Sequence, residues 1–181
     1  MTHGDEKTIA SYDQDYKIDL MTSKFTDERC PSLCGKPRIF FIQACRGRRL
    51  DHGFIPKTLR NHNGNDVTDA ITFEMNKIIS ELEFEEDAFN PPIYKDFLLV
   101  RSAMQGFYSF RNPTSGSWFI QDLCSELKQN GTSIDILNLL TRVNLKVSER
   151  ETGGTKYYKK KQILCISTML TKVLKFNANN S

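Results

Sequence analysis

Cys45 is the residue whose surroundings point most directly to chemistry. It is one of five cysteines, with Cys30, Cys34, Cys124 and Cys165. Its flanks, Gln43-Ala44-Cys45-Arg46-Gly47, follow directly on Ile39-Phe40-Phe41-Ile42. That apolar run reads as a strand buried on both faces. In open α/β sheets, ligands bind beyond the carboxyl ends of parallel strands, so position alone marks Cys45. A thiolate is the competent nucleophile and needs a proton partner. His3, followed by Gly4, lies 42 residues upstream. The other four cysteines read as small buried hydrophobes. Cys30 and Cys34 are four apart, but His3, His52 and His62 do not stand at zinc-finger spacing, so no metal site is expected.

The elements that must position these groups can be outlined from periodicity. Ile18, Leu20, Met21 and Phe25 outline a short helix, and Pro31, Gly35 and Pro37 break the chain after it. Arg60 to Asp66 has the composition of an exposed loop. Ile71, Met75, Ile78, Ile79 and Leu82 fit one helical face, and Asn90-Pro91-Pro92 stops any helix. Phe97-Leu98-Leu99-Val100 is a second apolar strand, followed by the aromatic loop of Phe107, Tyr108 and Phe110. Two helices come next. The first is expected to carry Ile120, Leu123, Cys124 and Leu127, ending near Asn130-Gly131. The second is expected to carry Ile136, Leu140, Val143 and Val147. Ile163-Leu164-Cys165-Ile166 is the last strand. Strands alternating with helices imply an α/β fold with a largely parallel sheet.

Composition narrows the function classes. The 181 residues, 39% hydrophobic and 26% charged, describe an ordinary globular chain. No run approaches the roughly 18 apolar residues of a spanning helix, so no membrane association is expected. Met1-Thr2-His3-Gly4-Asp5-Glu6 lacks an apolar stretch after a positive start and does not read as a signal peptide. The odd cysteine count without such a signal favours reduced thiols and a cytoplasmic location. A net charge of +3 is too mild to imply nucleic acid. The lysine-rich stretch Lys156 to Lys161, interleaved with Tyr157 and Tyr158, could suit phosphates, but so mild a global charge argues against a nucleic-acid patch.

Taken together, the motifs resemble those of the caspases. Gln43-Ala44-Cys45-Arg46-Gly47 has the form of the caspase signature, which carries its His roughly 50 residues upstream. The resemblance runs from Met1 to about Phe176. It includes His3-Gly4-Asp5-Glu6, Gly35-Lys36-Pro37, Leu50-Asp51, Tyr108-Ser109-Phe110-Arg111-Asn112, Gly116-Ser117-Trp118-Phe119, Leu140-Thr141-Arg142-Val143-Asn144 and Lys161-Gln162. It is closest to the executioner type, in an animal protein.

That resemblance implies a cysteine endopeptidase cutting after aspartate in apoptosis-type proteolysis, without a cofactor. Cys45 would attack the scissile carbonyl carbon, and His3 would donate a proton to the leaving amine. The N–H groups of Gly4 and Cys45 would hold the oxyanion. Arg111 and Gln43 would select the aspartate, the first by a planar fork matched to a carboxylate. Ser109 and Arg111 would pair with the substrate backbone. Tyr108 and Phe110 would line the next pocket, and Asn112 and Trp118 the pocket for the residue four before the cut. Phe110 departs from the family, which often has Trp there.

The resemblance also implies an organisation. Residues 1–69 would be the remainder of the large subunit including part of the linker, 70–95 the inter-subunit linker and 96–181 the small subunit. The fold would be a three-layer caspase-like fold, mainly parallel in its central sheet, with helices on both faces. It is expected to be truncated at its N-terminal strands, since caspases place two strands, a helix and an arginine before the His-Gly. The zymogen would be cut after Asp69, before Ala70. Partners would be substrates with acidic cleavage motifs, a second copy in a homodimer of processed subunits, and inhibitor-of-apoptosis proteins. The alternative function is that of a catalytically poor caspase fragment that binds and modulates a full-length caspase.

Overall fold

A computed structural model describes residues 7–53, 94–153 and 157–177. The expectations for His3, Gly4, the Arg60–Asp66 loop, Asp69 and the 71–82 helix fall outside these residues.

The chain opens with an exposed antiparallel hairpin, β1 (Thr8–Ala10) and β2 (Asp15–Lys17), turned by Ser11, whose hydroxyl donates to Asp13 at 2.6 Å. No alternation of apolar residues announces this hairpin in the sequence. The short helix α1 (Ile18–Thr22) and a 3-10 turn at Ser23–Phe25 follow. Only Ile18 and Thr22 of α1 are buried, and Leu20 is exposed.

The core is organised by a three-stranded sheet in the order β3 (Arg38–Ile42), β4 (Phe97–Arg101), β7 (Cys165–Thr168). β3 runs parallel to β4, as strand–helix alternation implies, while β7 runs antiparallel to it. β4 is the central strand, and all five of its residues are buried. Each apolar side chain so buried contributes about 1.5–3 kcal/mol of transfer free energy.

β3 corrects an expectation. Its run is not buried on both faces: Ile39 and Phe40 are half-buried and Phe41 is exposed. The physical reason is position, since among the described residues β3 has one sheet neighbour whereas β4 has two.

Side chains alternate across the sheet. Leu98 and Val100 face the helices α2 (Trp118–Asn130) and α3 (Ile136–Glu149), packing with Phe119, Leu123, Leu139, Leu140, Val143 and Val147. Phe41 meets Phe119 on that side, ring centroids 6.3 Å apart. Phe40 and Phe97 lie on the opposite face, stacked at 5.7 Å, and Phe25 of the 3-10 turn meets Phe40 edge-on at 5.5 Å. Helical elements therefore cover both faces.

α3 buries Ile136, Leu140, Val143 and Val147 as its periodicity predicts, and Leu139 beside them. Asp135 caps it, its carboxylate accepting from the N–H groups of Leu137 and Asn138 at 3.0 and 3.1 Å. α2 differs from expectation. Ile120 and Cys124 are exposed, whereas Trp118, Phe119, Asp122, Leu123 and Glu126 are buried. The helix is rotated by one position because two carboxylates have partners that let them go under: Asp122 on Arg150 at 2.6 Å and Glu126 on Lys146 at 2.6 Å.

Candidate active site

The site is built where β3 and β4 end. Ser102 follows β4 and is fully buried. Its N–H donates to Ile42 O at 3.0 Å, its hydroxyl donates to Ala44 O at 2.9 Å, and Ala44 N–H donates back to that hydroxyl at 3.2 Å. Ala44 is thereby fixed inward, while Gln43 and Cys45 on either side of it are half-buried and reachable.

Beyond Cys45 the chain turns through Arg46-Gly47 and zips onto the loop after β4. Gly106 N–H donates to Arg46 O at 2.7 Å, and Arg46 N–H to Phe107 O at 3.0 Å. Arg49 N–H donates to Gly106 O at 2.8 Å, and Tyr108 N–H to Arg49 O at 3.0 Å. This approach explains the glycine of the signature. A Cβ on Gly47 would lie 2.5 Å from the carbonyl of Gly106, and Gly47 has φ +148°. Only glycine fits such a contact. Arg49 covers the ring of Phe107 at 4.7 Å.

The zipped loop delivers Ser109 to the thiol. Cys45 Sγ lies 3.6 Å from Ser109 O and 3.7 Å from Ser109 Oγ. Gln43 Nε2 donates to the same hydroxyl at 3.0 Å. The two reachable side chains flanking Ala44 thus converge on one residue, 64 and 66 positions away in the chain.

The residues after Ser109 form an aromatic wall. Phe110 lies 5.1 Å from Trp118 and 6.4 Å from Tyr157, and Tyr108 is 6.4 Å from Tyr157. Trp118 is buried and Tyr108 and Phe110 are half-buried, so the cluster is part core and part wall. Arg111 and Asn112 form β5, paired with β6 (Gly116–Ser117). Arg111 is exposed, and among the described residues no ion pair engages it. Asn112 uses its side-chain oxygen locally, accepting from Thr114 N–H at 2.8 Å and Ser115 N–H at 3.0 Å.

The basic stretch is partly engaged. Lys161 N–H donates to Asp51 O at 2.9 Å, and Lys160 Nζ meets His52 Nδ1 at 2.8 Å. Tyr158 is exposed, with Lys159 Nζ 5.4 Å from its ring.

The structure thus brings together Gln43, Cys45, Ser109 and the aromatic pair Phe110 and Trp118. Arg111 and Asn112 stand beside them on β5. Sequence reasoning did not anticipate Ser102, Gly106, Tyr157 or the part played by Gln162. Ser102 and Gly106 carry no local signal, because each acts through backbone groups some 60 residues away in the chain. Among the described residues no group of three or more His, Cys, Asp and Glu side chains gathers as a metal site, and no helix is long and apolar enough to cross a membrane.

The family model for the caspase domain matches residues 1–175. Caspase drICE of Drosophila melanogaster is 41% identical over 181 residues, covering 98% of this chain and 48% of that protein. Caspase-7 of Gallus gallus is 36% identical, covering 97% of this chain and 53% of that protein. The crystal structure of caspase-1 from Spodoptera frugiperda superposes with a TM-score of 0.77 at 36% identity, covering 99% of this chain and 62% of that one. The chain spans about half the length of the curated relatives it matches. The match runs along nearly the whole chain, in sequence and in fold: this chain belongs to the caspase domain family.

Proposed function

We propose that the chain carries the nucleophile and much of the substrate groove of a cysteine endopeptidase that cuts after aspartate, in apoptosis-type proteolysis. One observation carries the reading: Cys45 Sγ and the Gln43 amide converge on Ser109, two residues before Arg111, which is exposed and outside any ion pair of the described residues. A thiol nucleophile and an amide donor that meet two residues before a guanidinium fork suit a peptide whose reacting residue bears a carboxylate.

In this mechanism Cys45 Sγ, as thiolate, attacks the scissile carbonyl carbon. The oxyanion is held by the N–H groups of Cys45 and Gly4. The C–N bond breaks as His3 gives its proton to the leaving amine. Water then hydrolyses the thioester, releasing the carboxylate product and the thiol. The roles of His3 and Gly4 rest on the family resemblance. Gln43 and Arg111 bind the aspartate, Ser109 and Arg111 pair with the peptide backbone, Tyr108 and Phe110 line the next pocket, and Asn112 and Trp118 the far one.

Residues 1–69 and 96–181 then correspond to large-subunit and small-subunit portions, joined by a linker at 70–95 that is cut in the zymogen after Asp69. The working enzyme is a cytoplasmic dimer of processed subunits acting on proteins with acidic motifs and open to inhibitor-of-apoptosis proteins. The outer position of β7 in the described sheet favours pairing of two copies there.

The test is turnover of an acidic tetrapeptide reporter. Cys45→Ala is expected to abolish it, while Cys30→Ala and Cys124→Ala are expected to keep it. Full turnover by the Cys45 variant would refute the assignment.

A further inference from the structure

Gln162 lies outside the groove as described above, yet it spends both ends of its amide on it. The residue is 2% exposed. Its Nε2 donates to Ser102 O at 2.7 Å, and its Oε1 accepts from Phe110 N–H at 2.7 Å. Ser102 in turn exchanges two hydrogen bonds with Ala44, immediately before the nucleophile. A chain of buried hydrogen bonds therefore runs from Ala44 through Ser102 and Gln162 to Phe110.

The other groups of Phe110 are also held. Trp118 N–H donates to its carbonyl at 3.3 Å, and its ring lies against Trp118 and Tyr157. With both backbone groups of Phe110 turned to the protein, successive residues of an extended segment present theirs to the other side. That leaves Ser109 and Arg111 to face a peptide. Lys161, the preceding residue, holds Asp51 through its N–H, and Leu164 N–H donates to Asn144 at 2.8 Å, so the segment carrying Gln162 is fixed at both ends.

We infer that Gln162 is a positioning residue, setting the distance and register between the Cys45 loop and the peptide-binding segment Ser109–Arg111. This rests on the proteolytic reading above. Gln162 touches neither thiol nor peptide; it acts through Phe110 and Ser102. A buried amide suits the task because one side chain must accept from an N–H and donate to a carbonyl at once. Misplacement of reacting groups by about 1 Å costs on the order of 10²-fold in rate.

The test uses the protein as wild type, Gln162→Met and Gln162→Glu. Two readouts are taken: steady-state turnover of an acidic tetrapeptide reporter, and alkylation of Cys45 by iodoacetamide, which needs no peptide groove. Gln162→Met keeps the volume and loses both hydrogen bonds. It is expected to lose roughly 10–100-fold in kcat/KM while alkylation stays within about twofold. Gln162→Glu adds a pH signature. Ionised, its carboxylate faces the Ser102 carbonyl and cannot donate; protonated, it restores both hydrogen bonds. Its kcat/KM relative to wild type should therefore climb as pH falls. An active wild type with Gln162→Met turnover within twofold, or a Gln162→Glu ratio flat across pH, overturns the inference and leaves the proteolytic reading standing. If Gln162→Met does not fold, the Gln162→Glu profile decides. A wild type that alkylates but cleaves no reporter overturns the proteolytic reading and takes the inference with it.

Discussion

At Cys45 the neighbours define the chemistry more than the thiol does. The chain holds five cysteines, and what separates this one is a loop in which Ala44 is locked inward and Gln43 and Cys45 are left reachable. Gly47 contributes by lacking a side chain, since the Gly106 carbonyl occupies the space of a Cβ. Arg111 contributes by standing exposed and outside any ion pair of the described residues. Its proposed partner is a substrate carboxylate, gripped by two parallel N–H···O bonds that a lysine cannot reproduce. Arg111→Lys keeps the charge and loses the fork. It is expected to cost about 1.5–3 kcal/mol, a fall of roughly 10- to 150-fold in kcat/KM for aspartyl reporters. Steady-state kinetics on paired Asp and Ala reporters measures it, and equal cleavage after Asp and Ala by the unaltered protein would remove the role given to Arg111 and Gln43.

The helices show why an apolar count misplaces a face. Ile120 and Cys124 of α2 match a helical stripe, yet Asp122 and Glu126 take the buried positions. Arg150 grips Asp122 with Nε and Nη2 at 2.8 and 2.6 Å, tying the end of α3 to the start of α2. Glu126 receives Lys146 Nζ at 2.6 Å and Asn130 at 2.8 Å, with Arg142 at 4.0 Å. The Lys146 hydrogen bond, first among the causes, holds the Glu126 carboxyl below the usual glutamate range, against the opposing effect of burial. A carboxyl whose pKa is lowered on folding adds stability above its unfolded value, about 4.3, and loses it as pH falls through the folded value. Glu126→Gln should therefore destabilise by about 1.5–3 kcal/mol at neutral pH, with the difference from wild type shrinking below about pH 4. Denaturant unfolding across pH 3–7 reads this directly, and a difference that grows on acidification would exclude the stated cause.

At the scale of the molecule, the two sequence halves are joined across one strand pair. β3 and β4 are separated by 54 residues of chain, yet pair in register from Arg38–Phe97 to Ile42–Arg101. Arg38 reinforces that seam. It is buried, donates to Leu33, Lys36 and Lys95 carbonyls at 2.8, 2.9 and 2.5 Å, pairs with Asp27 at 2.8 Å, and lies over the Phe97 ring. Such a seam holds the halves together after a cut between them. The sequence places Asp66-Val67-Thr68-Asp69 before the small Ala70, with Asp66 three residues before Asp69, matching the acidic preference that the family resemblance implies. An active executioner caspase is expected to cleave the Cys45→Ala protein after Asp69, and the two pieces should co-elute in gel filtration. N-terminal sequencing that starts at Ala70 supports the site; a start after another aspartate alone, or no cut in this segment, defeats it.

How much of this was legible in the residues depends on the range of the forces involved. The sequence alone determined the Gln43–Gly47 motif that marks Cys45 as the candidate nucleophile, the buried strand at Phe97–Val100 and the apolar face of α3. Each is recorded within a window of some ten residues, as a motif or a period. Tertiary structure decided which face of α2 goes under, since that depends on Arg150 and Lys146 being present to pair its carboxylates. It decided that Phe41 stays exposed, because strand burial is set by neighbours and not by composition. It also decided that Ser109 meets Cys45 and that Gln162 spans Ser102 and Phe110. These contacts join residues more than 50 positions apart. The satisfaction of buried polar groups that specifies them has no local periodicity, and exists only once the strands are paired.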